Sequence, residues 1–259
     1  MDDLTLRKTL SDIPLGGLRT FEKTGSTNDI ALAWAGEGAP DLSLVYAEEQ
    51  ESGRGRSDRR WYSPPGCGLA FSLVLRPSPV EVGKIPRFSG LGALAVCSAL
   101  GSLGLNSEIK WPNDVLLNRR KVCGVLVETV WLGDKADAII LGVGVNVTSG
   151  SVPSGERLNF PATCVESELG RSVERAGLLK DILLALIKWR TQLPGEDFLL
   201  AWQKALAFRG ERVEVQGENI PRRSGVVEGL EGDDSLRLRS EAGQTFTMQA
   251  GEIHLRPLL

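Results

Sequence analysis

Histidine is almost absent from this sequence: among 259 residues there is one, His254, close to the C-terminal end. A Ser-His-Asp or Cys-His mechanism would have to depend on that single side chain, and a His-rich metal site is excluded. We read His254 as a surface or barrel residue without a catalytic role. Cysteine is sparse too. The residues at 67, 97, 123 and 164 show neither the close pairing of a zinc site nor the density of a disulfide scaffold. They are expected to be reduced, mostly as core thiols. No apolar run approaches the roughly 20 residues of a membrane-spanning helix. The opening Met1-Asp2-Asp3-Leu4 also lacks a signal peptide's basic and apolar regions. The expected location is the cytoplasm. Positive charge is not in excess: 30 Lys and Arg against 33 Asp and Glu leave a net charge of -3, which argues against broad nucleic-acid binding.

What is present is a 42% hydrophobic chain, long enough to bury a large core, with its polar chemistry resting on Arg, Lys, Asp and Asn. Positive charge and backbone freedom concentrate between Gln50 and Trp61. There Gly53 and Gly55 permit close approach to a ligand, and Arg54, Arg56, Arg59 and Arg60 offer forked donors that suit phosphate or carboxylate. Alone, this segment reads equally well as a solvated basic loop. Two further stretches tip the balance. One is Lys110-Trp111-Pro112-Asn113-Asp114, followed closely by Lys121-Val122-Cys123-Gly124-Val125-Leu126-Val127-Glu128; the other is Gly142-Val143-Gly144-Val145-Asn146. A Rossmann site is rejected, because Val147 stands where a third glycine is needed and no helix follows. A P-loop sequence is also lacking.

In this order, Gln50 with Gly-Arg-Gly-Arg, Lys-Trp-Pro-Asn-Asp, Lys-x-x-Gly-x-Leu-x-Glu and Gly-x-Gly-x-Asn resemble the biotin-protein ligases. The resemblance implies an α+β fold: a mixed-sheet catalytic domain of the class II synthetase-like, biotin/lipoyl ligase type, followed by an SH3-like barrel. It implies ATP and Mg2+ as cofactors, biotinyl-AMP as intermediate, a biotin carboxyl carrier domain as acceptor, and a homodimer. Ser26, Thr27 and Asn28 would line the biotin ureido site, with Gln50, Gly53, Arg54, Arg56, Lys121 and Gly124 completing the biotin contacts. Arg54, Arg56 and Arg59 with Trp61, Asn113 and Asn146 would surround ATP and the adenylate. Lys121, Asp114 and Arg54 would carry catalysis. Lys121 would meet the biotin carboxylate and α-phosphate, and Asp114 would help the acceptor amine lose its proton. No metal ligands are assigned. Where the family loop often continues Arg-Gly-Arg, this chain has Ser57-Asp58-Arg59, which adds a negative charge beside the phosphate site.

Taken in order, residues 1–20 show no helix-turn-helix pattern, so an N-terminal DNA-binding domain is not expected. On sequence alone Ser26-Thr27-Asn28 read first as a helix cap for residues 29–35. Strands are expected at 44–47, 69–75, 109–111, 122–130 and 138–147, and a core helix at 87–103. Residues 148–175 read as loop, and two amphipathic helices follow, marked by Leu178 to Leu193 and by Phe198 to Leu206. Short alternating segments around Val213, Val226, Leu236 and Phe246 then suggest a small antiparallel barrel. The expected division is 1–208 and 209–259. Lipoate-protein ligase shares the chemistry, but its loop lacks this Arg-Gly pattern. A nucleic-acid module and a non-catalytic biotin sensor are the other readings. The lack of apolar anchors between Glu51 and Arg60 suggests a loop that negative ligand charge orders.

Overall fold

A computed structural model describes all residues except 58, 154–159, 218–219, 250–252 and 258–259. A short helix α1 (Asp3–Thr9) leads into strand β1 (Gly17–Thr24), helix α2 (Thr27–Gly36) and strands β2 (Ser43–Gln50) and β3 (Gly68–Leu75). The single turn α3 (Pro79–Val82) precedes the core helix α4 (Arg87–Ser102). Four strands follow: β4 (Ser107–Lys110), β5 (Asp114–Leu117), β6 (Arg120–Leu132) and β7 (Lys135–Asn146). Helices α5 (Val165–Leu169), α6 (Arg175–Arg190) and α7 (Glu196–Lys204) lead to strands β8 (Arg212–Gly217), β9 (Ile220–Leu230), β10 (Leu236–Arg239), β11 (Thr245–Met248) and β12 (Ile253–Pro257).

Strands β1 to β7 make one sheet in the order β1-β2-β3-β7-β6-β5-β4, parallel only between β1 and β2. Alternation along each strand separates its faces. On β3, Leu69, Phe71, Leu73 and Leu75 enter the main core, together with Ile139, Leu141, Val143 and Val145 of β7 and the apolar sides of α1, α4, α6 and α7. Close packing of α4 requires small residues. A Cβ on Gly90 would stand 2.7 Å from the Trp202 ring, and one on Gly92 2.9 Å from Val125. On the opposite face α2 covers one patch, where its Ala31 and Ala35 pack with Val45, Val74, Ala138 and Ile140. Beyond that patch this face carries the polar site.

The second sheet, β11-β10-β9-β8-β12, is antiparallel throughout. Residues that flank its strands are tied to the first sheet and to α4, as two sets of contacts show. Ile109 exchanges backbone hydrogen bonds with Ala205 and Ala207 at 2.7 and 2.9 Å. Asp234 accepts from Arg87 Nε at 2.8 Å, both side chains buried, while its carbonyl accepts from Trp111 Nε1 at 3.3 Å.

Several expectations are corrected. Residues 148–175 are not all loop, since Val165–Leu169 is helical, and Leu193 lies past the end of α6 as a core residue. β1, β5 and β12 are strands that the alternation did not single out; β1 is eight residues long and joins the sheet by parallel pairing with β2, and the other two are shorter. Those two are defined by their pairing, with β6 and β8 respectively. Of the cysteines, Cys123 and Cys164 are buried, whereas Cys67 and Cys97 are partly exposed; all four are free thiols. His254 falls on β12, but its side chain lies outside the described part of the structure.

Candidate active site

Strand register brings distant small residues into line. Asp114 on β5 pairs with Gly124 on β6, Gly124 with Gly144 on β7, and Gly144 with Ala70 on β3. All face the side of the sheet that α2 only half covers, and Asp114, Gly124 and Gly144 of this row are the floor of a cavity of about 500 Å³. The glycines are required by what lies on them. A Cβ on Gly144 would collide with the Trp61 indole, and one on Gly142, two residues earlier on the same face, with Asn28 Oδ1.

At one end of the floor is a neutral hydrogen-bonding corner. Gln50 Oε1 accepts from the Thr27 backbone N–H at 2.8 Å and from its hydroxyl at 3.0 Å. The Ser72 hydroxyl lies 2.7 Å from Thr27 Oγ1 and 2.5 Å from Asn28 Oδ1, and Asn28 Nδ2 donates to Glu128 at 2.7 Å. Ser26 is the N-cap of α2 but makes no side-chain cap bond, so the plain-cap reading is not what this trio does. Thr27 and Asn28, buried in the first turn, turn their polar groups into the site instead.

The arginine loop has anchors. Gln50 N–H donates to Ser63 O at 3.2 Å, Trp61 N–H to Gly53 O at 2.8 Å and Gly55 N–H to Arg59 O at 2.7 Å, which makes a narrow hairpin. Gly53 suits that closure because a Cβ there would stand 2.5 Å from Trp61 O. Arg54 forks onto both oxygens of Glu128 at 3.0 and 2.7 Å and reaches Asp29 at 2.8 Å. Arg56 donates to Asn113 Oδ1 at 3.1 Å, and Arg59 Nε to the Arg56 carbonyl at 3.1 Å. Asp58 lies outside the described residues.

At the other end two lysines share one carboxylate. Asp114 Oδ1 is 2.6 Å from Lys121 Nζ and Oδ2 is 3.6 Å from Lys110 Nζ. Burial works against the charged form of Asp114, but Lys121 and Lys110 outweigh it and hold the carboxyl below its ordinary pKa. For Lys110, burial lowers the pKa, Lys121 and Arg59 add to the effect, and Asp114 opposes it. Lys121 also stands over the Trp61 ring at 5.5 Å and Lys110 over Phe160 at 4.4 Å. Asn113 Nδ2 is held by Val125 O at 2.7 Å, and Asn146 Nδ2 by Thr163 O at 3.1 Å.

Residues 20–146 match the Biotin/lipoate A/B protein ligase family. A biotin-[acetyl-CoA-carboxylase] ligase of Paracoccus denitrificans is 35% identical over 232 residues, covering 86% of this chain and 94% of that protein. The chain belongs to this family. The bifunctional ligase/repressor BirA of Bacillus spizizenii is 37% identical over 164 residues, 63% of this chain, and the match spans only half of that protein. Among solved structures, a biotin protein ligase from Aquifex aeolicus in complex with biotin and ATP superposes with a TM-score of 0.80 at 27% identity, covering 93% of this chain and 99% of that one.

Every residue that the sequence singled out for biotin, ATP or catalysis lines this same cavity. Sequence reasoning left four participants unassigned: Asp29, Ser72, Lys110 and Glu128. Ser72 could have been noticed as the one hydroxyl in an apolar strand, Leu69-Ala70-Phe71-Ser72-Leu73-Val74-Leu75. Lys110 and Glu128 stood inside quoted motifs. Glu128 lies four residues after Gly124 on β6, and the strand period of two puts both on the same face.

Proposed function

We propose that this protein is a cytoplasmic biotin-protein ligase that makes biotinyl-5'-AMP from biotin and ATP and transfers biotin to a lysine of a biotin carboxyl carrier domain. One observation carries the reading. A neutral corner suited to a ureido group and a cationic end suited to joined carboxylate and phosphate share one cavity across a glycine floor. With Gln50 Oε1 turned to Thr27, the Gln50 amide nitrogen is left as a donor. In the first step the biotin carboxylate attacks the α-phosphorus of ATP, a P–O bond to the β-phosphate breaks, and pyrophosphate leaves. The nucleophile is already ionised, so the site must gather anions and stabilise charge on the phosphate oxygens. Lys121, Lys110, Arg56 and Arg59 are the cations placed for this, and Trp61 offers a face to the adenylate.

In the second step the acceptor amine attacks the acyl carbon and AMP leaves. Proton removal from that amine falls to Asp114, the buried carboxylate of the floor. Its lowered pKa makes it a weak base, so its main tasks are to orient the amine and hold Lys121. Among the described residues no three His, Cys, Asp or Glu side chains converge as a metal cage, and Asp114 is taken by two lysines. Mg2+ would come with ATP as the MgATP substrate. We assign catalysis to residues 1–208 and an SH3-like barrel to 209–259, and we expect a homodimer. The test is incubation with biotin, MgATP and a carrier domain, read by biotin-dependent ATP–pyrophosphate exchange and by carrier mass. Exchange with lipoate and none with biotin would overturn the assignment.

A further inference from the structure

Among the described residues, Glu128 is the carboxylate that touches both the arginine loop and the neutral corner. Its two oxygens take the Arg54 fork, and Oε2 also accepts from Asn28 Nδ2 at 2.7 Å. A partly exposed arginine pair is by itself a weak stabiliser. Here the same carboxylate makes a third bond into a buried amide, and that bond sets a direction. A carboxylate only accepts, so the Asn28 NH2 must face Glu128 and the Asn28 oxygen must face Ser72. Asn28 Oδ1 cannot donate, so the Ser72 hydroxyl proton is drawn to it at 2.5 Å, and the one proton of Thr27 Oγ1 is left to serve either Ser72 or Gln50 Oε1. The Asn28 amide occupies the space that a Cβ on Gly142 would fill, its oxygen 2.1 Å from that position.

Arg54 is meanwhile neutralised by Glu128 and Asp29 and does not face the phosphate end as a free cation. Its role differs from that of Arg56, Arg59 and the lysines.

Resting on the ligase reading above, we propose that Glu128 is a positioning residue for the ureido end of biotin. It fixes the orientation of the Asn28 amide against Ser72 and pairs with Arg54. An amide at this position could present either its oxygen or its NH2, so Asn28 could flip and the corner would lose its single pattern of donors and acceptors. The loss falls on biotin recognition, because the cations of the phosphate end are untouched.

The experiment compares wild type, Glu128→Gln and Glu128→Asp. It measures biotin Kd by calorimetry without ATP, and KM for biotin, KM for ATP and kcat in pyrophosphate exchange. Losing an ordered bond to a charged group predicts a rise in biotin Kd and KM of about tenfold or more for Glu128→Gln. ATP KM and kcat at saturating biotin should stay within about threefold of wild type. Glu128→Asp keeps an acceptor-only group and should recover part of the biotin affinity, and it carries the same measurements if Glu128→Gln fails to fold. Unchanged biotin affinity in a folded variant would overturn the proposal, and so would a loss confined to ATP KM or kcat, which would return Arg54 to the phosphates. If wild type itself fails to bind biotin, the ligase reading falls and this inference falls with it.

Discussion

Replacing Asp114 by Asn should change the pH range in which adenylation occurs. The carboxylate lies 2.6 Å from Lys121 Nζ and 3.6 Å from Lys110 Nζ, and it is buried. Unit charges about 4 Å apart attract by about 4 kcal/mol at an effective dielectric near 20. Asparagine has nearly the same shape and removes that attraction from both lysines, which are left facing each other. The Lys110 pKa is already lowered by burial, with Lys121 and Arg59 adding to the effect, and Asp114 is the group that opposes this. Without it the Lys110 pKa falls further. An amine is cationic below its pKa, so the charge that meets the phosphates should be lost at lower pH in Asp114→Asn than in wild type. Losing one such contact typically costs ~10²–10³ in rate. Biotin-dependent ATP–pyrophosphate exchange isolates the first step from any role of Asp114 toward the acceptor. Measured from mildly acidic to alkaline pH, the variant should keep its best activity at the acidic end and lose it earlier as pH rises. A variant profile that superimposes on wild type would refute the electrostatic coupling of these three residues.

Three further outcomes follow from the packing. Asp234→Ala leaves the buried Arg87 guanidinium without its carboxylate, and breaking a buried pair costs about 3–5 kcal/mol; a denaturant titration showing a loss under about 1 kcal/mol would disprove the role of this pair in docking the barrel. Gly144→Ala puts a methyl where the Trp61 ring lies. Overpacking costs about 1–3 kcal/mol, and pyrophosphate exchange should fall much more than stability, so normal exchange kinetics would contradict the glycine floor. Glu48 has its carboxyl pKa lowered from 4.5 to about 2: burial works against the charge, but hydrogen bonds from Arg175, the terminal ammonium and Tyr46 prevail. Its contribution to stability is present above the unfolded pKa and lost as pH falls through the folded one. Arg175→Met should therefore be less stable than wild type near neutrality, with a gap that narrows as pH drops from 4.5 toward 2. A gap independent of pH would show that Arg175 acts through packing alone.

The sequence by itself determined the elements with a period and the motifs with unusual composition. Leu69 to Leu75, the long run from Val122 to Val130 and the helix of Phe88, Leu91, Leu94 and Leu100 were legible because apolar spacing is a local property. The Gly-Arg-Gly-Arg loop was legible because charge and glycine rarely coincide without cause. β5 and β12 were not. Each has four or five residues and becomes a strand through hydrogen bonds to a partner elsewhere in the chain. Tertiary structure alone decided who meets whom in the site. Asp114, Gly124, Gly144 and Ala70 form one row because strand register aligns them. Arg54, which the motif suggested for phosphate, meets a carboxylate 74 residues away. Charge partners, unlike helix or strand preference, depend on distances that only the folded chain sets, because an ion pair is decided by the last few ångströms between groups whose order in sequence carries no such information.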